Sequence, residues 1–213
     1  MKIAIVDYQS GNLHSALKSF ELAASDLRGA SVSITSNYKD IEKASRIVLP
    51  GVGSFNFCKS RLFENTSLLK ALHESVLDRK VPFLGICVGM QLLASAGNEG
   101  EKNNSGLNWI SGKVKRIEKA TSLQKIPHMG WNNLDLKSSH QLLKNIYSKD
   151  HFYFVHSYSF EVLHKTNLLA TANYGTEITA AIIKDNIFGV QFHPEKSQLP
   201  GLQLISNFIN WDY

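Results

Sequence analysis

The stretch Pro82-Phe83-Leu84-Gly85-Ile86-Cys87-Val88-Gly89-Met90-Gln91-Leu92-Leu93-Ala94 decides how the chain is read. Its first five residues form a short, fully apolar run suited to a central strand of a parallel sheet. A helical pattern follows at Gln91-Leu92-Leu93-Ala94. Between the two stands Gly-x-Cys-x-Gly, the strand-turn-helix context of a nucleophile elbow with cysteine in the serine position. Such a turn is too tight for bulk beside the nucleophile, and glycines on both sides meet that need. A cysteine at a helix N-terminus also meets partial positive charge, which favours the thiolate that attacks carbonyl carbon. Cys87 is therefore the expected nucleophile, whereas Cys58, in Phe57-Cys58-Lys59, reads as a structural side chain.

Toward the N-terminus the same rhythm repeats. Lys2 to Asp7 predicts a strand, Ser10-Gly11-Asn12 a turn, and Leu13, Leu17, Phe20 and Ala24 recur at helical spacing. Val32 to Thr35 and Arg46 to Leu49 predict two further strands, and Leu68, Leu69, Leu72, Val76 and Leu77 a helix stripe. Toward the C-terminus the character changes. The polar segment Gly97 to Gly106 predicts a loop. Lys113 to Ile117, His151 to Val155, Leu168 to Asn173, Thr179 to Ile183 and Ile187 to Phe192 predict strands with little helix between them. A last helix is expected over Leu202 to Trp211. The expectation is an α/β three-layer sandwich around a mostly parallel central sheet, with an antiparallel or mixed strand region in the C-terminal half. Residues 1–213 are expected to form one domain, because no linker, repeat or low-complexity tract interrupts them.

Composition excludes several classes. Of the 213 residues 43% are hydrophobic and 19% charged, which is ordinary for a globular chain and argues against disorder. No apolar run approaches the ~18 residues of a membrane span, and Asp7 ends the apolar N-terminal run too early for a signal peptide, so a cytoplasmic protein without membrane contact is expected. Two cysteines without a Cys-x-x-Cys pair argue against a disulfide framework or a zinc site, and no metal is expected. The net charge of +5 is scattered. Its densest stretch, Lys113, Lys115, Arg116 and Lys119, lacks interleaved aromatics and reads as a solvated face, so no nucleic-acid partner is expected.

A cysteine nucleophile needs a base. Of eight histidines His193 stands out. In Gly189-Val190-Gln191-Phe192-His193-Pro194-Glu195 it follows an apolar strand, and in extended backbone Glu195 would project to the same side and orient the imidazole. Pro50-Gly51-Val52-Gly53-Ser54, directly after the third strand, could aim N–H groups at a developing oxyanion beside the N–H of Val88. On its own it reads as an ordinary strand-to-helix turn.

Together these residues resemble the class I (triad) glutamine amidotransferases, in which Gly-x-Cys-x-Gly-x-Gln supplies the nucleophile and a later His-Pro-Glu the base and orienter. The resemblance spans the chain. Asp7-Tyr8, Gly11-Asn12-Leu13, Pro127-His128-Met129-Gly130-Trp131-Asn132, Phe154-Val155-His156-Ser157-Tyr158 and Gln191 to Gln198 make it similar to the family of glutaminase subunits of imidazole glycerol phosphate synthase. The resemblance implies a flavodoxin-like fold and hydrolysis of glutamine through Cys87, His193 and Glu195, with a glutamyl thioester on Cys87. It also implies an oxyanion strand at Gly51, Val52, Gly53 and Val88, and Gln91, Ser157 and Tyr158 at the amino-acid end of the substrate. Ammonia would pass to a (β/α)8-barrel cyclase subunit in a heterodimer, and no cofactor is implied. Asn12, Trp131, Tyr153 and Lys196 match positions near that interface, although an aromatic such as Trp131 belongs by default to a core. The chain departs from the family's commonest pattern at Gln9 and Val88. Two other readings compete: a paralogous glutaminase feeding a sugar amidotransferase, and a non-enzymatic flavodoxin-like binding or redox-sensing module. Glu195 and Gln91 argue against the second, since a sensor needs no oriented base.

Overall fold

The branched apolar runs of the first half fold as expected, each strand leading into a helix that returns the chain to the same edge. The computed structural model describes residues 1–99 and 104–213. In chain order these are β1 (Lys2–Val6), α1 (Leu13–Ala23), β2 (Ser31–Thr35), α2 (Tyr38–Glu42), β3 (Arg46–Gly51), α3 (Phe55–Glu64), α4 (Thr66–His73), β4 (Phe83–Cys87) and α5 (Val88–Gln91). There follow β5 (Ala96–Gly97), β6 (Asn104–Ser105), β7 (Gly112–Arg116), β8 (His128–Asn133), β9 (Asp135–Leu136), β10 (His151–His156) and β11 (Tyr158–Val162). The chain closes with β12 (Leu168–Tyr174), β13 (Thr176–Lys184), β14 (Ile187–Val190) and α6 (Gln198–Ile209).

One sheet runs β2-β1-β3-β4-β14-β13-β12-β9. It is parallel from β2 to β14 and antiparallel from β14 to β9. Strand order reverses at β1, so right-handed crossovers place α1 on one face and α2 to α4 on the other. α6 joins α1, with Phe20 and Phe208 edge to face at 6.3 Å. All five residues of β4 are buried, as a strand covered on both faces requires. A smaller sheet runs β11-β7-β5-β6, and β8 pairs with β10. Among the described residues no helix is long and apolar enough to cross a membrane.

Three expectations need correction. The helix after Cys87 does not run on through Gln91-Leu92-Leu93-Ala94; it ends at Gln91. The carbonyls of Leu92, Leu93 and Ala94 accept instead from the backbone N–H groups of Leu107, Trp109, Ile110 and Asn108, so tertiary bonds replace the next helical turn. β14 stops at Val190, not Phe192, because Gln191 donates to Ala180 and His193 bridges to Tyr153 of β10. The segment Gly97 to Gly106 is not all loop. Ala96 and Gly97 pair with Ser105 and Asn104, while residues 100–103 lie outside the described residues.

The glycines of the elbow are fixed by contact. A Cβ on Gly89 would lie 1.8 Å from the Leu49 carbonyl oxygen, and one on Gly85 would lie 2.7 Å from that of Gly89. Any side chain at either position would push α5 off the edge of β3 and β4, where the candidate site lies.

Candidate active site

β4 delivers Cys87 to the carboxyl edge of the sheet, where open α/β folds bind their ligands. The residue sits at φ +55° and ψ −113°, a left-handed region that costs a non-glycine residue on the order of 1–3 kcal/mol. Pairing of β4 with β3 and β14, together with the glycine contacts above, holds it there. The thiol is free and buried. α5 is one turn long, so the charge it offers Cys87 is that of a few orphan N–H groups rather than of a long helix.

His193 enters from the end of β14 and lines the same cavity of about 310 Å³ as Cys87. Its Nδ1 lies 2.7 Å from Oε1 of Glu195, both side chains being buried. Nδ1–H therefore donates to the carboxylate, and Nε2 is left buried without a hydrogen-bond partner among the described residues. The route to this pair differs from expectation. Glu195 lies in a 3-10 turn, Pro194–Lys196, rather than in extended backbone, and the turn swings its carboxylate back onto the ring. Burial favours the neutral imidazole, yet interaction with Cys87 and Glu195 outweighs it and pushes the His193 pKa up to about 10.

A folded-state pKa above the ordinary 6.5 stabilises the fold fully below that value and loses its contribution as pH rises toward about 10. Thermal melts of wild type and Glu195→Gln should therefore differ most near pH 6 and converge as pH approaches 10. A constant difference across that range would show that the carboxylate does not hold the imidazolium.

Val52, Gly53, Val88, Gln91, Ser157 and Tyr158 also line the cavity. Gly51 is paired with Cys87 in the β3·β4 register, one residue behind the wall. The Val52 peptide is engaged elsewhere, however. Its N–H donates to Ser10 Oγ at 3.2 Å, its carbonyl accepts from the same hydroxyl at 2.9 Å, and Cys58 Sγ lies 3.3 Å from that carbonyl. Of the two sets of donors expected for an oxyanion, Val88 N–H has no intrahelical partner, while Val52 N–H is spent on the loop after β1.

Four cavity residues were not foreseen from the sequence: Glu99, Pro127, Val155 and His156. Glu99 Oε2 accepts from Phe55 N–H at 2.6 Å, at the start of α3. Its Gly- and Asn-rich surroundings read locally as solvent-facing loop. His156 belongs to a buried chain with fixed proton positions. Its Nδ1–H donates to the Tyr158 carbonyl at 2.8 Å, so its Nε2 accepts from His128 Nδ1–H at 3.0 Å, and Asn132 Nδ2 donates to His128 Nε2 at 3.2 Å. Burial lowers His128 to about 4 and His156 to about 3.

Trp131 is 49% exposed and so is not a core residue. It meets Tyr153 edge to face at 5.8 Å, and the Lys196 ammonium lies 5.8 Å from the Tyr153 ring centroid. These three form one surface. Asn12 occupies the N-cap position of α1 without a side-chain cap bond and is joined to them by no hydrogen bond or aromatic contact among the described residues.

The chain belongs to the family described as glutamine amidotransferase class-I, whose profile matches residues 4–211. Within it, the chain is 47% identical over 211 residues to "Imidazole glycerol phosphate synthase subunit HisH" of Cereibacter sphaeroides, covering 99% of each. The protein of the same name from Rhodospirillum rubrum is 48% identical over 213 residues, again with 99% of each covered. Solved structures share the fold at low identity. A glutamine amidotransferase superposes with a TM-score of 0.67 at 16% identity, over 93% of this chain and 94% of its own. Another, from Thermotoga maritima, gives 0.61 at 16% identity, over 92% of this chain and 76% of its own.

Proposed function

We propose that the chain is the glutaminase subunit of imidazole glycerol phosphate synthase, hydrolysing L-glutamine to L-glutamate and ammonia. The observation that carries the chemistry is the meeting of Cys87 with the His193–Glu195 pair on one buried cavity. Cys87 thiolate attacks the side-chain amide carbon, and the carbonyl electron pair moves onto oxygen, toward Val88 N–H. His193 gives its proton to the departing ammonia, leaving a glutamyl thioester on Cys87. Neutral His193 then takes a proton from water, hydroxide adds to the thioester carbon, and the thiolate leaves with release of glutamate. Glu195 fixes the tautomer throughout. At the amino-acid end, Gln91 spends its N–H groups on Tyr158 and Gln191 and keeps Oε1 free as an acceptor for the substrate ammonium, which the Glu99 carboxylate also attracts. Ser157 and Tyr158 close that end.

The ammonia is consumed by a (β/α)8-barrel cyclase subunit that makes imidazole glycerol phosphate and aminoimidazole carboxamide ribotide in histidine biosynthesis. The exposed Trp131–Tyr153–Lys196 face, with Asn12, is the docking surface for it. The test is ammonia and glutamate release from glutamine, by the chain alone and with the cyclase of the same organism plus its ribotide substrate. Strong stimulation is expected. Activity indifferent to the cyclase would overturn the histidine-pathway assignment in favour of a sugar amidotransferase partner, and silence in every mixture would overturn the glutaminase.

In the stimulated assay His193→Ala should lower kcat by about 10⁴-fold, since both proton transfers pass through the ring. Glu195→Gln should cost less, about 10²-fold, because the turn still places a neutral acceptor against Nδ1. Equal losses would show that Glu195 does more than orient.

A further inference from the structure

Gln191 lies two residues before His193, at the point where the chain leaves β14, and is fully buried. Its amide is oriented by an unbroken chain of donors and acceptors. The Tyr158 carbonyl can only accept, so the Gln91 atom 3.1 Å from it is Nε2. That same nitrogen lies 2.9 Å from Gln191, which must present Oε1 to it. Gln191 Nε2 is thereby turned to Cys87, 3.6 Å from Sγ, and the sulfur is its hydrogen-bond partner among the described residues.

A neutral thiol is a weak acceptor, and a buried amide N–H committed to one is nearly unsatisfied. The same N–H committed to a thiolate makes a charge-assisted bond. The arrangement is favourable for the anion and costly for the thiol. We propose that Gln191 is a further catalytic residue, donating an N–H to the Cys87 sulfur whenever that atom carries negative charge. It acts opposite in role to His193: the imidazolium supplies the charge and the proton, while the amide supplies a donor that never leaves. During attack the electron pair passes from sulfur to the amide carbon and the bond to Gln191 weakens. When the thioester is hydrolysed the pair returns to sulfur and the bond re-forms, so Gln191 assists departure of the thiolate. This rests on the glutaminase reading for its catalytic meaning, although the contact with sulfur does not depend on substrate.

The test separates the two. Iodoacetamide alkylation of Cys87 is followed without glutamine at pH 7 and quantified on the Cys87 peptide by mass spectrometry, so that Cys58 does not contribute. Gln191→Met keeps the length of the side chain and removes the donor. Provided its thermal melt stays cooperative, alkylation should slow about tenfold, the loss of one hydrogen bond to a charged atom. In turnover kcat should fall by a similar factor, whereas any rise in KM for glutamine reports the loss of the Gln191 Oε1 contact that holds Gln91. Alkylation at the wild-type rate would overturn the proposal. Should Gln191→Met fail to fold, Gln91→Met leaves Gln191 in place and removes the group that aims it; a slowing of about threefold supports the proposal and an unchanged rate overturns it. A chain that hydrolyses glutamine in no mixture, yet shows slowed alkylation in Gln191→Met, would retain this contact and lose the glutaminase reading.

Discussion

Cys87→Ala should release no measurable ammonia from glutamine, a loss of at least about 10⁴-fold, in a protein that still folds. Nothing in the cavity can take over. Cys58 is buried beneath the Val52 carbonyl and does not line it. Ser157 does line it, but among the described residues no base is hydrogen-bonded to its hydroxyl. The fold should survive because alanine meets the same left-handed backbone at position 87 without adding bulk. The cost is the partner lost to Gln191 Nε2, about 1 kcal/mol, or a few degrees in the melting temperature of a chain this size. Ammonia release is measured by a coupled assay with the cyclase present, and folding by circular dichroism. Appreciable release by the folded variant would remove Cys87 from the mechanism.

The second large effect concerns the partner. The isolated chain should be a poor glutaminase, and the cyclase with its ribotide should raise kcat by about 10²–10³-fold, the range associated with gaining one oxyanion donor. The physical reason is the Val52 peptide, whose N–H and carbonyl both bind Ser10. With that donor held by Ser10, Val52 N–H is not offered to the cavity beside Val88. On the proposed function, the stimulation expected from the cyclase corresponds to release of the Val52 N–H from Ser10. Ser10→Ala removes the hydroxyl that holds Val52, so it should raise the rate of the isolated chain and narrow the ratio between partnered and free enzyme. An unchanged ratio in Ser10→Ala would mean that the Ser10 contact does not set the resting activity.

How far these features can be read without coordinates depends on how local their causes are. Gly85 and Gly89 are legible as the flanks of a tight turn, although only the clash at Gly85 arises within one strand-turn-helix unit; at Gly89 it comes from the Leu49 carbonyl of β3. The His193–Glu195 pair is legible from proximity in sequence, although a 3-10 turn rather than extended backbone delivers the carboxylate. Neither Glu99 nor His156 could be found this way. Glu99 is placed by a bond to Phe55, and His156 by His128 and the bend after β10. The premature end of α5 has a similar origin, since residues 107–110 take the carbonyls that its next turn would have used. Trp131 departs from the default for an aromatic side chain, and its exposure leaves it on the surface where the resemblance set it. Its size suggests a core residue, but its strand lies in a two-stranded pair with one face open.

The buried His128–His156 chain has a consequence for the conditions under which the site can work. His156 lines the cavity with His128 hydrogen-bonded behind it, and a histidine there that titrated near neutrality would switch on a positive charge on acidification and repel the ammonium end of the substrate. Burial keeps both rings uncharged until about pH 4 and about pH 3. The wall that His156 contributes therefore places no positive charge beside the ammonium end of glutamine across the range in which histidines elsewhere in proteins sense acidification.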